Sequence, residues 1–201
     1  MKNLLVLCCL ASISFVSIAQ ESHEKLTAKD FQDNLNKEYA SKEESPLMAE
    51  DLKNFKGLDF YPISEKFIVE AQFVKASKEK VFKMKTTGTR TPEYIKYGEL
   101  LFKLDDKEYK LNVYQNVELT KKEGYADYLF LPFSDLSCGK ESYIGGRYID
   151  MRIPKGNTVL IDFNKAYNPY CAYNHKYSCP IVPLDNNLET EILAGVKKFH
   201  D

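Results

Sequence analysis

The chain has 201 residues, 44% hydrophobic and 28% charged, which excludes a disordered tail protein and a tiny scaffold held by disulfides alone. Lys and Arg number 28 against 29 Asp and Glu, a formal charge of −1, so there is no basic footprint for nucleic acid. Fourteen Tyr and 12 Phe without a Trp favour strands and polar-tipped pocket walls over helices.

The first segment reads as an address. Met1-Lys2-Asn3 opens it, Leu4 to Ile18 is apolar or small, and Ser17-Ile18-Ala19 supplies a small-x-small end. Residues 1–19 are therefore expected to be a signal peptide cleaved before Gln20. The apolar run is short for a membrane span, which needs roughly 20 residues. An uncleaved anchor and a lipoprotein built on Cys8 or Cys9 are the alternatives. The second is opposed by the bulky Leu7 and by the lack of an apolar region ahead of so early a cysteine. The expected location is periplasmic, with secretion as the alternative, and no stable membrane span remains after cleavage.

Residues 20–57 read as a helical N-terminal segment. Thr27 is a cap ahead of Asp30, and Phe31, Leu35 and Tyr39 recur every four residues as one apolar stripe. A second helix is expected to start at Ser45-Pro46, with Leu47, Met48, Leu52 and Phe55 as its apolar face and Gly57 as its stop.

From residue 58 to 201 the chain reads as one β domain. Phe67, Val69, Ala71 and Phe73 alternate with other residues at a period of two, and Val81–Lys85 is a short strand. Tyr94–Leu104 and the run through Tyr109, Leu111 and Val113 flank the polar turn at Asp105-Asp106-Lys107, the pattern of a β-hairpin. Tyr128–Phe133, Arg147–Ile153 and Thr158–Phe163 complete the set, the last two joined by a turn at Pro154–Asn157. The expected class is mainly β, an antiparallel barrel or sandwich with a short helical N-terminal segment. Asn164–Asn187 carries three Pro, five Asn, four Tyr and two Cys, a long loop of the kind that carries function or closes a fold. The tail from Leu188 to Phe199 is a helix or a last strand, with Leu188, Ile192 and Val196 favouring helix.

Polar groups crowd two stretches: Asp135 through Asp150, and Asp162 through Cys171 with Cys179-Pro180. The runs Gly145-Gly146-Arg147-Tyr148-Ile149-Asp150 and Asp162-Phe163-Asn164-Lys165-Ala166-Tyr167-Asn168-Pro169-Tyr170-Cys171-Ala172 resemble the signature of the DUF1684 family. Leu131-Pro132-Phe133-Ser134-Asp135 with Gly139, Cys179-Pro180, the Asn187 region and Ala194-Gly195 fit the same pattern, so the resemblance runs from about Phe55 to Phe199. It implies one β-rich domain and supplies no activity. The sequence departs from it at Cys138, where a Thr-like residue is expected.

Read physically, Gly145-Gly146 lets Arg147 be aimed sharply as a strand begins. Its guanidinium fork suits a carboxylate or phosphate on a ligand; the alternative is an internal salt bridge to Asp135, Asp150 or Asp162. Asp162 and Asn164 share a strand face, with Asp150 expected on the partner strand. Such carboxylates do acid–base work, hold a hard cation, or bond loop backbone. Cys171, His175 and Cys179 form a C-x3-H-x3-C run. In an exported protein Cys171 and Cys179 are a candidate disulfide; zinc ligation and a Cys–His nucleophile are the alternatives. Tyr167, Tyr170, Tyr173 and Tyr177 offer a stacking surface or core packing, while His23 and His200 read as solvated ends.

The expected function is a binding module for a small polar or anionic ligand, with Arg147 as anchor. Asp135, Tyr143, Gly145, Gly146, Tyr148, Asp162, Asn164 and Asn168 shape the pocket, and no cofactor or metal is called for. A hydrolase using Asp135 and Asp162 as an acid–base pair is one alternative, and an envelope scaffold or interaction protein another.

Overall fold

The computed structural model describes residues 26–200, so the expected signal peptide lies outside the described residues. Helix α1 runs Ala28–Ala40. Thr27 caps it reciprocally: its hydroxyl accepts from the Asp30 amide at 3.1 Å and donates to the Asp30 carboxylate at 2.7 Å. Leu35 and Tyr39 are buried as the stripe requires, joined by Ala28 and Gln32. Helix α2 spans only Ala49–Asn54 and buries none of its residues. It starts later than Pro46 because Ser45 builds a turn instead, its hydroxyl donating to the Tyr39 carbonyl at 2.7 Å and accepting from the Leu47 amide at 3.2 Å.

The strands are β1 (Ile68–Lys75), β2 (Phe82–Lys83), β3 (Glu93–Leu104), β4 (Lys107–Asn116), β5 (Tyr128–Asp135), β6 (Arg147–Arg152), β7 (Thr158–Asp162) and β8 (Asn187–Leu188). They form one sheet in the order β6-β5-β4-β3-β1-β7, with β2 on β3 and β8 parallel to β5. The β3–β4 hairpin is where expected, its ladder closing at Leu104↔Lys107. Asp105 and Asp106 both take positive φ, 50° and 60°, as a turn matched to strand twist demands.

The hairpin expected between Arg147–Ile153 and Thr158–Phe163 is corrected. β6 pairs with β5 and β7 with β1, so the two strands are opposite edges of the sheet. A loop as short as Pro154–Asn157 can join opposite edges only if the sheet curls back on itself, and the result is a half-barrel. One stitch crosses the gap: Tyr148 and Tyr167 exchange both backbone hydrogen bonds, at 2.9 and 3.0 Å. The inward faces of all six long strands share one core, with Ala71, Leu111, Val113, Leu131, Phe133 and Ile161 fully buried.

The tail is not a helix. Leu188, Ile192 and Val196 are buried as that reading required, but the chain through them is irregular, with a two-residue strand at Asn187–Leu188, a bridge at Val196 and a positive φ at Gly195. Its backbone groups find partners elsewhere in the fold: the Gly195 carbonyl accepts from the Tyr61 amide and the Val196 amide donates to the Ala166 carbonyl, both at 2.9 Å. A peptide already bonded to its neighbours gains nothing by bonding to itself. The tail then packs beneath α1, where Val196 joins Leu35, Tyr39, Leu47, Leu58 and Tyr173 in a second apolar cluster.

Candidate functional site

Arg147 opens β6 with its side chain pointing into the molecule. It is fully buried, and so is the Asp135 side chain at the end of the neighbouring β5. One guanidinium nitrogen donates to Asp135 Oδ1 at 2.9 Å and to the Ile192 carbonyl at 2.8 Å, and the other donates to the Ala194 carbonyl. The Phe133 ring lies 5.3 Å from the guanidinium carbon. Asp135 Oδ2 accepts from the Ile192 amide at 2.8 Å and from the Ser137 amide and hydroxyl at 3.1 and 2.6 Å. Burial alone would raise the Asp135 pKa, but Arg147 and these donors hold its carboxyl below the usual range. The pair is a clamp on the tail, made of groups bonded to one another.

Several other residues of the two polar stretches also bond within the fold. Asn164 presents its side-chain amide to Ser64 as a strand would, accepting from the Ser64 amide and donating to its carbonyl, both at 3.0 Å. Asp162 Oδ1 accepts from the Asn164 amide and side chain at 3.1 and 2.9 Å. Among the described residues Asp135 and Asp162 share no hydrogen-bond partner, and Asp150 accepts from the Tyr128 and Tyr167 hydroxyls at 2.6 and 2.7 Å. Asn168 donates to the Lys197 carbonyl at 2.8 Å. Tyr148 donates to the Pro180 carbonyl and meets Phe130 edge-on at 4.7 Å. Gly146 has φ +84°, and a Cβ there would lie 2.5 Å from the Phe133 carbonyl oxygen; only glycine lets β6 enter the sheet this close to β5. Gly145 packs under the Tyr143 ring, 2.5 Å from where a Cβ would sit.

Tyr143 faces the other way, into a cleft of about 710 Å³. Its walls come from three places in the chain: Ser142 to Ile144, the loop from Cys171 to Tyr177, and Lys198 with His200 in the tail. Thr87 and Met48 close the rim, and no carboxylate is among the described residues that line it. His200 leans on Asp51 at 3.3 Å just outside the wall. A second depression, about 640 Å³ beside Asn34, Lys37, Glu38, Glu44 and Tyr170, is shallow and carries both signs of charge.

At the floor of the cleft lies Cys171. The candidate disulfide is not formed: Cys171 and Cys179 are both free thiols. They nevertheless meet, for the Cys171 amide donates to Cys179 Sγ at 3.3 Å. A hydrogen bond from the Cys179 thiol is the largest influence on Cys171. Burial opposes it, Thr87 and Tyr143 add to it, and the Cys171 thiol is pulled down to about 6. Cys179 moves the opposite way, pushed up by the same hydrogen bond and by burial. The Tyr143 hydroxyl stands 4.0 Å from Cys171 Sγ, and burial beside that sulfur pushes Tyr143 up to about 12. Among the described residues no three His, Cys, Asp or Glu side chains gather as a metal site, and His175 lines the cleft without joining the two sulfurs.

The DUF1684 model, described as a protein of unknown function, matches residues 53–197. The chain belongs to this family. A solution NMR structure of an uncharacterized protein from gene locus rrnAC0354 of Haloarcula marismortui is 30% identical, with a TM-score of 0.66, covering 84% of this chain and 91% of that one. No curated protein matches the chain. The DUF1684 resemblance read from the motifs is thus borne out, and its polar signature residues are largely those that bond inward. Cys138, where a Thr-like residue is expected from that resemblance, acts as a hydroxyl would: its thiol reaches Asp135 Oδ1 at 3.5 Å and accepts from the Asp135 amide at the same distance.

Of the nine residues expected to shape a ligand pocket, Tyr143 alone lines the cleft. Arg147 and Asp135 come together as ion-pair partners, and Asp162 joins Asn164, but away from the cleft lining. Sequence reasoning missed Lys198, His200 and Thr87 as a group, because they reach one place only through the fold-back of the tail. The Tyr-rich loop was a usable signal, since Tyr173 and Tyr177 do line the cleft. Tyr170 instead faces α1 and donates to Glu38 at 2.7 Å.

Proposed function

We propose that this protein is an exported binding module for a small anionic ligand, seated in the cleft above Cys171. The observation that carries the reading is the donor-rich lining: Lys198, the imidazoles of His175 and His200 and the hydroxyls of Tyr143 and Tyr177, with no carboxylate among the described residues that line it. A concave site with aromatic walls and a few convergent donors is how proteins take small polar ligands, and an enclosed cation is worth most where water is partly excluded. Lys198, a cation of the cleft lining, takes the anchoring part first assigned to Arg147, which is buried in its ion pair with Asp135 away from the cleft. The apolar run and small-x-small end of residues 1–19 support export.

The test is thermal melting of the full chain in phosphate, citrate and glucose 6-phosphate, against chloride at matched ionic strength. A ligand present at 100 times its dissociation constant stabilises by about 2.7 kcal/mol, a shift of several degrees for a domain of this size. At least one of the three is expected to raise the melting temperature of the wild type, and Lys198→Ala to lose most of that rise. No rise with any of them, or an equal rise in the variant, overturns the reading.

A further inference from the structure

The two thiols under the cleft are used by nothing described so far. They sit on separately held segments. Cys171 lies in a single helical turn fixed by hydrogen bonds from Ala172 to Pro169 and from Tyr173 to Tyr170, at 2.9 and 3.0 Å. Cys179 is stitched to the chain before β3: its amide donates to the Thr87 hydroxyl at 3.1 Å and its carbonyl accepts from the Thr87 amide at 2.9 Å. Arg90 and Thr86 bond the preceding Ser178 at 2.9 and 2.8 Å. Each sulfur is therefore presented to the other by backbone that is already anchored. Only Cys171 lines the cleft; Cys179 lies behind it.

We propose that Cys171 and Cys179 form a thiol–disulfide exchange site, with Cys171 as the attacking sulfur and Cys179 as the resolving one, acting on a low-molecular-mass disulfide that enters the cleft. The Cys171 thiolate attacks one sulfur of the small disulfide; that S–S bond breaks, a mixed disulfide forms on Cys171, and one small thiolate leaves and takes a proton. Cys179 then gives up its proton and attacks the Cys171 sulfur, expelling the second small thiolate, which takes the proton. Two protein thiols are oxidised to one disulfide and one small disulfide is reduced to two thiols, a balanced two-electron exchange. The asymmetry of the pair suits this order. Cys171 is the more acidic thiol and is held by donors from Cys179, Thr87 and Tyr143, while Cys179 keeps its proton until it is needed. Cys138 supplies the internal contrast, since burial pushes its thiol up beside the Asp135 carboxylate. The inference does not depend on which anion the cleft binds.

The full chain is incubated with oxidised glutathione at pH 7, quenched by alkylation and digested with trypsin. Lys176 lies between the two cysteines, so a Cys171–Cys179 bond appears as two peptides joined. The wild type is expected to give the joined pair, with Cys171 consumed at least about tenfold faster than Cys138. Cys179→Ser is expected to stop at a glutathione adduct on Cys171, and Cys171→Ser to give neither product. The wild-type digest decides the matter even if a variant fails to fold. Reaction of Cys138 as fast as Cys171, or no joined pair while the small disulfide is still in excess, overturns the proposal.

Discussion

Arg147→Ala leaves Asp135 as a buried charge with no cation beside it, and frees the Ile192 and Ala194 carbonyls of their donors. Breaking a buried pair by removing one partner costs about 3–5 kcal/mol, so urea unfolding of the variant is expected to show a loss of that size or a chain that does not fold. Arg147→Lys keeps the charge but not the planar fork that reaches three acceptors at once, and its stability is expected to fall between the two. Asp135 adds a pH dependence whose sign follows from its lowered pKa. The folded carboxyl titrates below the unfolded value of about 3.9, so its contribution is complete above that value and is lost as pH falls through the folded one. Unfolding free energy measured from pH 6 down to pH 3 is expected to drop in the wild type, with the Asp135 share absent in Asp135→Asn. An equal slope in that variant assigns the acid sensitivity to other carboxylates. The sequence already placed Asp135 among three possible partners of Arg147, because short spacing and opposite charge are local properties. What else the Arg147 guanidinium holds is not local: the Ile192 and Ala194 carbonyls reach it only after the tail has folded back.

Among the elements, the weakest seam in the sheet is between β4 and β5, which pair directly only at Tyr114↔Phe130. Pro132 has no amide to offer there. The seam is completed by a side chain: Asn186 accepts from the Asn112 amide at 2.8 Å and donates to the carbonyls of Asn112 and Pro132, at 2.8 and 2.6 Å. It is fully buried, and its amide stands in for a missing peptide. Asn186→Ala strands three backbone groups, at about 1–3 kcal/mol for each that water cannot reach. Faster amide exchange is expected at Asn112 than in the β3–β4 hairpin, whose ladder is continuous toward its turn. Unchanged exchange at Asn112 shows that water replaces the side chain at no cost. This device illustrates where sequence reading stops. The alternation of β1, β3 and β4 is written in each strand, as is the Asp105-Asp106 turn. Which strands become edges, and which loop side chain mends a seam, depends on residues far apart in the chain. The β6–β7 correction has the same origin, because a short turn between two alternating runs reads identically whether the strands pair or lie at opposite rims of a curled sheet.

At the scale of the molecule, the DUF1684 match begins at residue 53, so α1 lies ahead of it, yet α1 covers the face that carries the cleft. Tyr39 is fully buried and meets Tyr173 edge-on, ring centroids 4.9 Å apart. Tyr173 in turn is part of the cleft wall. Gln32 donates to the Asn164 carbonyl at 3.1 Å, so the helix is fastened to the turn that follows β7 as well. An amphipathic helix of 13 residues is marginal by itself in water and holds its shape through what it packs against. The dependence runs both ways, since without α1 the Cys171–Tyr177 loop loses the surface under Tyr173. Tyr39→Ala removes a large buried ring, at about 3–5 kcal/mol by the usual scale for aromatic truncation. If α1 serves as a backing plate for the site, hydrogen exchange in this variant rises most in residues 170–174 and 195–199 and least in β3 and β4. Any anion-induced rise in melting temperature then shrinks together with it. A uniform rise across the sheet instead makes α1 and the half-barrel a single cooperative unit, in which the cleft has no stability of its own to lose.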